Sequence, residues 1–337
     1  MQRRRLCVMS YKTVDSLMRH LRDSGVMISG SVQKRQLINT GYFHGYKGYR
    51  FFSDTQSRHQ IPFSSYGEVY ATIKYDSELK SLFYGKIMFI ETAVKNIAME
   101  CILRKSRSES IQAMLTKSVS GANNSPKNFT NDQKRKAQQK KLDLQNSIQR
   151  NLARAYKNKD PKITHFYDKY ADVPIWALFE ITMLGDFGNI LSCLTYEVRE
   201  DISKKIGLNL SSDTNRELVY EYIYLLKDLR NAIAHNSAIF DTRFKKAKPS
   251  RPMTACLINE IHLPYVNFNS IGDYIVLVSY FLKILHVSKR EIKSFISEYE
   301  KITSDYINSV SKSNVNVVKA VIKKDWKKRM TKLKNYI

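Results

Sequence analysis

Residues 75–98 read YDSELKSLFYGKIMFIETAVKNIA. Their apolar side chains, Leu79, Leu82, Phe83, Ile87, Ile90, Val94, Ile97 and Ala98, recur at three- and four-residue spacing. That spacing lines one face of an α-helix, whereas a strand would alternate every second residue. A second stripe of the same kind comprises Leu218, Tyr222, Leu225, Leu226, Leu229 and Ile233. Only 12 glycines and 7 prolines interrupt 337 residues, so long elements are expected. Strand-like alternation is scarce. The fold class this predicts is all-α.

Outward from the first stripe, TVDSLMRHLRDSG (13–25) predicts a helix with Thr13 as its N-cap and Gly25 as its stop. SVQKRQLINT (31–40) predicts a second, short one. GYFHGYKGYRFF (41–52) follows, and glycine at this density is expected to break regular structure. Its aromatics, Tyr42, Phe43, Tyr46, Tyr49 and Phe51, have two readings. They either stack on RNA bases or anchor a loop in the core. Anchoring is the plainer expectation, because aromatic rings bury large apolar area with or without a ligand.

Downstream, SVSGANNSPKNFTNDQ (118–133) reads as a loop. The polar, basic stretch after it predicts a helix with a weak apolar stripe at Leu142, Ile148, Leu152 and Tyr156. In ADVPIWALFEITMLGDFGNIL (171–191), Pro174 suits the first turn of a helix that runs through Trp176, Phe179 and Leu184 and stops at Gly185. A helix over 215–236, a basic loop at 243–252, an apolar helix at 270–287 and a basic helical tail complete the chain.

Lys and Arg number 56 against 31 Asp and Glu, a net charge of +25. Such an excess attracts polyanions. No apolar run approaches the roughly 20 residues that span a bilayer, and no signal peptide is evident. The expected partner is therefore nucleic acid, with no membrane and a cytoplasmic location. Cys7, Cys101, Cys193 and Cys256 are scattered and form no paired motif, which argues for reduced thiols and against a metal site. No cofactor is expected.

KDLRNAIAHN (227–236) carries the candidate chemistry: Arg230, Asn231 and His235. Arginine forks onto phosphate oxygens, and histidine exchanges a proton near neutral pH. At about 100° per residue, Arg230 and His235 stand roughly 140° apart around a helix, while Asn231 and His235 share a face. Three basic segments are candidate phosphate contacts. The first holds Lys134, Arg135, Lys136, Lys140 and Lys141; the second Arg243, Lys245, Lys246 and Lys248; the third Lys323, Lys324, Lys327, Lys328 and Arg329.

SLMRHLRDSGVMI, NTGYFHGYKGYRFF, the quoted helix, VPIWALFEITMLGDFGNI and DLRNAIAHNSAIF resemble, in this order, the Abi-like family of bacterial abortive-infection proteins, the group containing AbiD and AbiF. That family is similar to HEPN ribonucleases, whose motif of Arg, four to six residues and His is met by Arg230, Asn231 and His235. The resemblance implies a HEPN-like helical bundle over 61–300, within which the polar, basic composition of 106–160 reads as an insertion. A small helical region (1–60) precedes it and a basic tail (301–337) follows. It further implies phage defence by a metal-independent endoribonuclease leaving 2′,3′-cyclic phosphates, with a small structured noncoding RNA and a target RNA as partners. A non-catalytic scaffold holding such an RNA is the alternative. Relatives often carry an arginine three residues after the motif histidine. Here that place is Ala238, and Arg243 fits a later arginine of the pattern. None of the other six histidines has an arginine five to seven residues before it. One chain therefore supplies one motif, and paired motifs would require a homodimer.

Overall fold

Helix α1 (Val14–Asp23) starts at Thr13, whose hydroxyl accepts from the Ser16 N–H, and ends just before Gly25 at φ 81°. The computed structural model describes residues 13–53, 58–60, 63–124 and 129–337, with backbone alone at 51–53, 58–60 and 124. Helix α2 (Gly30–Thr40) follows and leads into a π-helical turn, Gly41–Lys47. The glycine-rich stretch is thus helical, contrary to expectation. Gly41 enters at φ 75°, and a Cβ on Gly45 would meet Thr40 Oγ1 at 2.8 Å. Glycine here permits a wide turn instead of ending regular structure. Strands β1 (Phe51–Ser53) and β2 (Arg58–Gln60) form one short antiparallel pair, with Phe52 opposite His59.

Helix α3 (Tyr66–Ser106) is 41 residues long and contains the quoted stripe. A capping box starts it: Ser65 accepts from the Glu68 N–H, while the Glu68 carboxylate accepts from the Ser65 N–H. It ends at Arg107 in the left-handed conformation. Helix α4 (Ile111–Lys117) and the basic α5 (Asn131–Lys157) come next. In α5 the buried stripe is Leu144, Ile148, Leu152 and Ala155, whereas Leu142 and Tyr156 are exposed, a correction to the expected stripe. Helices α6 (Pro161–Tyr167), α7 (Ile175–Ile181), α8 (Leu184–Cys193) and α9 (Tyr196–Ile206) are short. Pro174 stands at the N-cap of α7. The helix breaks at Thr182, whose hydroxyl donates to Leu178 O, so Gly185 lies in the first turn of α8 instead of stopping a helix.

Helices α10 (Leu218–Ala234), α11 (Arg251–Ile261), α12 (Ile271–Ile284), α13 (Lys289–Ser309), α14 (Lys312–Ile322) and α15 (Trp326–Tyr336) complete the all-α architecture. Helix α3 is its axis, packed against α4, α9, α10, α12 and α13. One connected core runs from Met18 to Ile337. The stripe at 79–98 serves it: Leu79, Phe83, Ile87, Ile90, Val94 and Ala98 are buried, and Leu82 and Ile97 are partly so. Cys101, Cys193 and Cys256 are buried free thiols, and burial pushes each of them above an ordinary thiol pKa. Cys7 lies outside the described residues. No helix among the described residues is long and apolar enough to cross a membrane.

Candidate functional site at the end of helix α10

The second apolar stripe seats α10. Leu218, Tyr222, Leu225, Leu226 and Leu229 are buried, so the polar members of the motif are left at the helix flanks. The approach of α8 is close. A Cβ on Gly188 would meet the Tyr224 ring at 2.8 Å, and one on Gly185 the Lys227 Cδ at 3.2 Å. The two glycines of LGDFGN therefore set the spacing between α8 and the motif helix.

The helix ends at His235, its C-cap. Asn236 takes the left-handed conformation (φ 51°) and donates to Ile233 O, and Ser237 donates to Ala232 O at 2.8 Å. This pair of bonds is the Schellman closure, which asparagine tolerates at the left-handed position. His235 is thereby exposed at the edge of the helix.

Two buried carboxylates fix the chain beyond it. Asp76 of α3 is fully buried and accepts from the backbone N–H groups of Ile239 (2.7 Å) and Phe240 (2.8 Å). It also accepts from the Tyr49 hydroxyl at 2.7 Å and pairs with Lys80 at 2.8 Å. Burial, then the Asp76 charge, pushes the Tyr49 hydroxyl well above its usual pKa. Lys80 in turn donates to the Asn236 side chain at 2.8 Å. Asp228 of α10 accepts from the backbone N–H groups of Lys246 and Ala247, each at 2.8 Å, and lies 3.1 Å from Lys227.

Asn231 and His235 open onto one cavity of about 430 Å3, with Lys227, Ser237, Arg243 and Lys246 around it. The shared face expected from their spacing is present. Ala238 also lines this wall, as does Arg243, which is engaged by the Asp241 carboxylate and donates to Gly48 O at 2.7 Å.

Arg230 opens elsewhere, onto a second cavity of about 430 Å3 with Glu91, Lys95, Trp176, Glu180 and Met183. Its Nη1 donates to Asn231 Oδ1 at 3.2 Å. Its Nε lies 3.9 Å from Glu91 Oε2, a buried oxygen with no hydrogen-bond partner among the described residues. Lys95 donates to Glu91 Oε1 at 2.8 Å and to Thr182 O at 2.6 Å, tying α3 to the break between α7 and α8. Sequence reading missed Asp76, Lys80, Glu91, Lys95 and Asp228. The available signal was a carboxylate on an apolar stripe: Asp76 and Glu91 continue the row through Leu79, Phe83 and Ile87.

The candidate phosphate contacts divide by exposure. Arg135, Lys136 and Lys140 are exposed on α5, with Lys134 and Lys141 half-buried. Lys246 and Lys248 are exposed; Lys245 is half-buried against Asn269 (2.7 Å), and burial lowers its pKa. Lys324, Lys327 and Lys328 are exposed and Lys323 is half-buried. Arg329 contradicts its expected role. It is 1% exposed and paired with the buried Asp273, so its charge holds α15 to α12 and faces no ligand.

A family model described as "Abi-like protein" matches residues 35–241, more than half of the chain and the whole Arg–Asn–His segment. The chain belongs to the Abi-like family. Membership points to abortive infection, that is, phage defence. No curated protein and no solved structure matches this Abi-like chain. The match starts within α2, leaves out α1, and ends at Asp241, just before Arg243.

Proposed function

We propose that this Abi-like protein is a HEPN-type, metal-independent endoribonuclease of cytoplasmic phage defence, restrained by a bound structured RNA. The carrying observation is the exposed His235 on one cavity wall with Asn231, Lys227 and Lys246. A proton acceptor among cations is what transfer within an RNA strand requires. A base takes the 2′-hydroxyl proton, the 2′-oxygen bonds to the adjacent phosphorus, and the bond to the 5′-oxygen breaks as that oxygen gains a proton. The ends left are a 2′,3′-cyclic phosphate and a free 5′-hydroxyl. His235 takes or gives the proton, and Arg230 stabilises charge on the phosphoryl oxygens. Asn231 touches Arg230 and shares the His235 cavity, so it links the two.

Within one copy Arg230 and His235 face different cavities. A catalytic centre that uses both is completed by a second copy, in a twofold homodimer with α10 near the axis. The same separation favours a second reading, a scaffold that holds its RNA without cutting it.

Incubation with total RNA in EDTA separates the two. Fragments ending in 2′,3′-cyclic phosphate are expected from the wild type, with at least a hundredfold less from His235→Ala and Arg230→Ala. Both side chains lie at the helix surface, so the variants should keep wild-type circular dichroism. Unimpaired cleavage by either soluble variant would sink the ribonuclease reading, and tight RNA binding without cleavage by the wild type would establish the scaffold.

A further inference from the structure

The five aromatics of the glycine-rich stretch do not behave alike. Tyr46 and Tyr49 are buried anchors, Tyr42 is half-buried, and the Phe51 side chain lies outside the described residues. Phe43 is 73% exposed. Core packing accounts for the first group and leaves Phe43 unexplained.

Its surroundings are built. Phe43 stands edge-on to Tyr42, with ring centroids 6.0 Å apart, and Tyr42 stacks on Tyr46 at 5.6 Å. The Lys47 ammonium lies 4.7 Å from the Phe43 centroid and 5.3 Å from that of Tyr42. His44 and Lys47 are both exposed. The π-helical turn that presents these groups depends on glycine at 41 and 45, and π turns concentrate at functional sites. The turn is also joined to the motif. Gly48 O accepts from Arg243, a wall of the His235 cavity, and Tyr49 stacks on Phe240 at 5.8 Å.

We propose that the π-helical turn is a stacking platform for single-stranded RNA, with Phe43 as the base-stacking face and Lys47 as a phosphate contact. Every base has a π-face, so the platform is tolerant of sequence, and a duplex, whose bases are already stacked, cannot use it. The net charge of +25 favours a polyanion over an apolar protein partner. RNA held here would lead, by way of Gly48 and Arg243, toward the His235 cavity. The choice of RNA rests on the ribonuclease reading above.

The test uses the full chain carrying His235→Ala, so that nothing is cut, with a labelled 12-nucleotide oligouridylate and an RNA duplex of equal length. Phe43→Ala should weaken the oligouridylate roughly tenfold (about 1.4 kcal/mol) and leave the duplex unchanged. Phe43→Trp should restore binding. Lys47→Ala should reduce the salt slope by about 0.7, the share of one phosphate on a single strand. Equal affinity of the parent and Phe43→Ala for the single strand, as expected if the ring docks a protein instead, would overturn the platform. So would equal losses on both RNAs. Failure of the ribonuclease shows in the uncut wild-type reaction, and failure of the platform shows in this binding series.

Discussion

Asp76 shows how much one side chain organises. Two backbone N–H groups, a tyrosine hydroxyl and a lysine converge on it, and the loop after His235 hangs from two of the four. An amide in its place keeps the shape, removes the charge and turns one acceptor into a donor facing donors. Hydrogen bonds to charged groups contribute about 1.5–3 kcal/mol each. Asp76→Asn is therefore expected to cost about 3 kcal/mol in urea unfolding, and to reduce the proposed RNA cleavage beyond the share of protein unfolded. Normal cleavage at wild-type stability would show that the loop holds itself. Legibility at this scale follows distance along the chain. Arg230, Asn231 and His235 are readable because they lie within six positions. Asp76 and its partners Ile239 and Phe240 are 163 and 164 positions apart, and a single sequence does not connect them.

Individual helices were legible where their apolar residues were large and their caps conventional. The stripes of α3 and α10 and the Thr13 cap emerged where expected. The misreadings have physical causes. In α5 the buried row is completed by a small residue, Ala155, while the bulkier Leu142 and Tyr156 face water. Glycine, a breaker by its intrinsic preference, serves a wide turn at 41–48 and a close helix contact at 185. A cap also links distant elements. Burial raises the Glu68 carboxyl pKa, but hydrogen bonds from Ser311, Asn314 and Ser64 outweigh it and hold the group at about 2. The folded pKa lies below the unfolded one, so this stabilisation is full above about 4.5 and drains away as pH falls toward 2. Glu68→Gln should lose about 2 kcal/mol at neutral pH. It should also show a flatter decline than the wild type across that acid window, measured by denaturant unfolding at successive pH values. Parallel curves would remove Glu68 from the acid response.

Across the whole molecule the positive charge has two fates. Most exposed lysines can meet a polyanion, but Arg329 is committed to Asp273 in the core. Breaking a buried pair from one side costs about 3–5 kcal/mol, because the remaining charge is stranded. Arg329→Met should therefore lower stability by that amount and leave the salt slope of the proposed RNA binding untouched. A charge-removing pair of changes on α5, Lys136→Gln with Lys140→Gln, should do the reverse. Titrations across salt concentrations, set beside urea melts, distinguish them. The all-α class was legible because composition and period agree. The interior place of one tail arginine was not, since its partner is 56 positions away. The central position of α3 has a consequence in time. Thr72 and Tyr306 share a hydrogen bond across 234 positions, and Tyr75 and Thr303 across 228. As the polypeptide emerges from the ribosome, α3 is made early and waits for α13 to cover it. An unfinished chain thus carries the Arg–His motif before α13 has covered α3, and the core is completed only after the motif has been made.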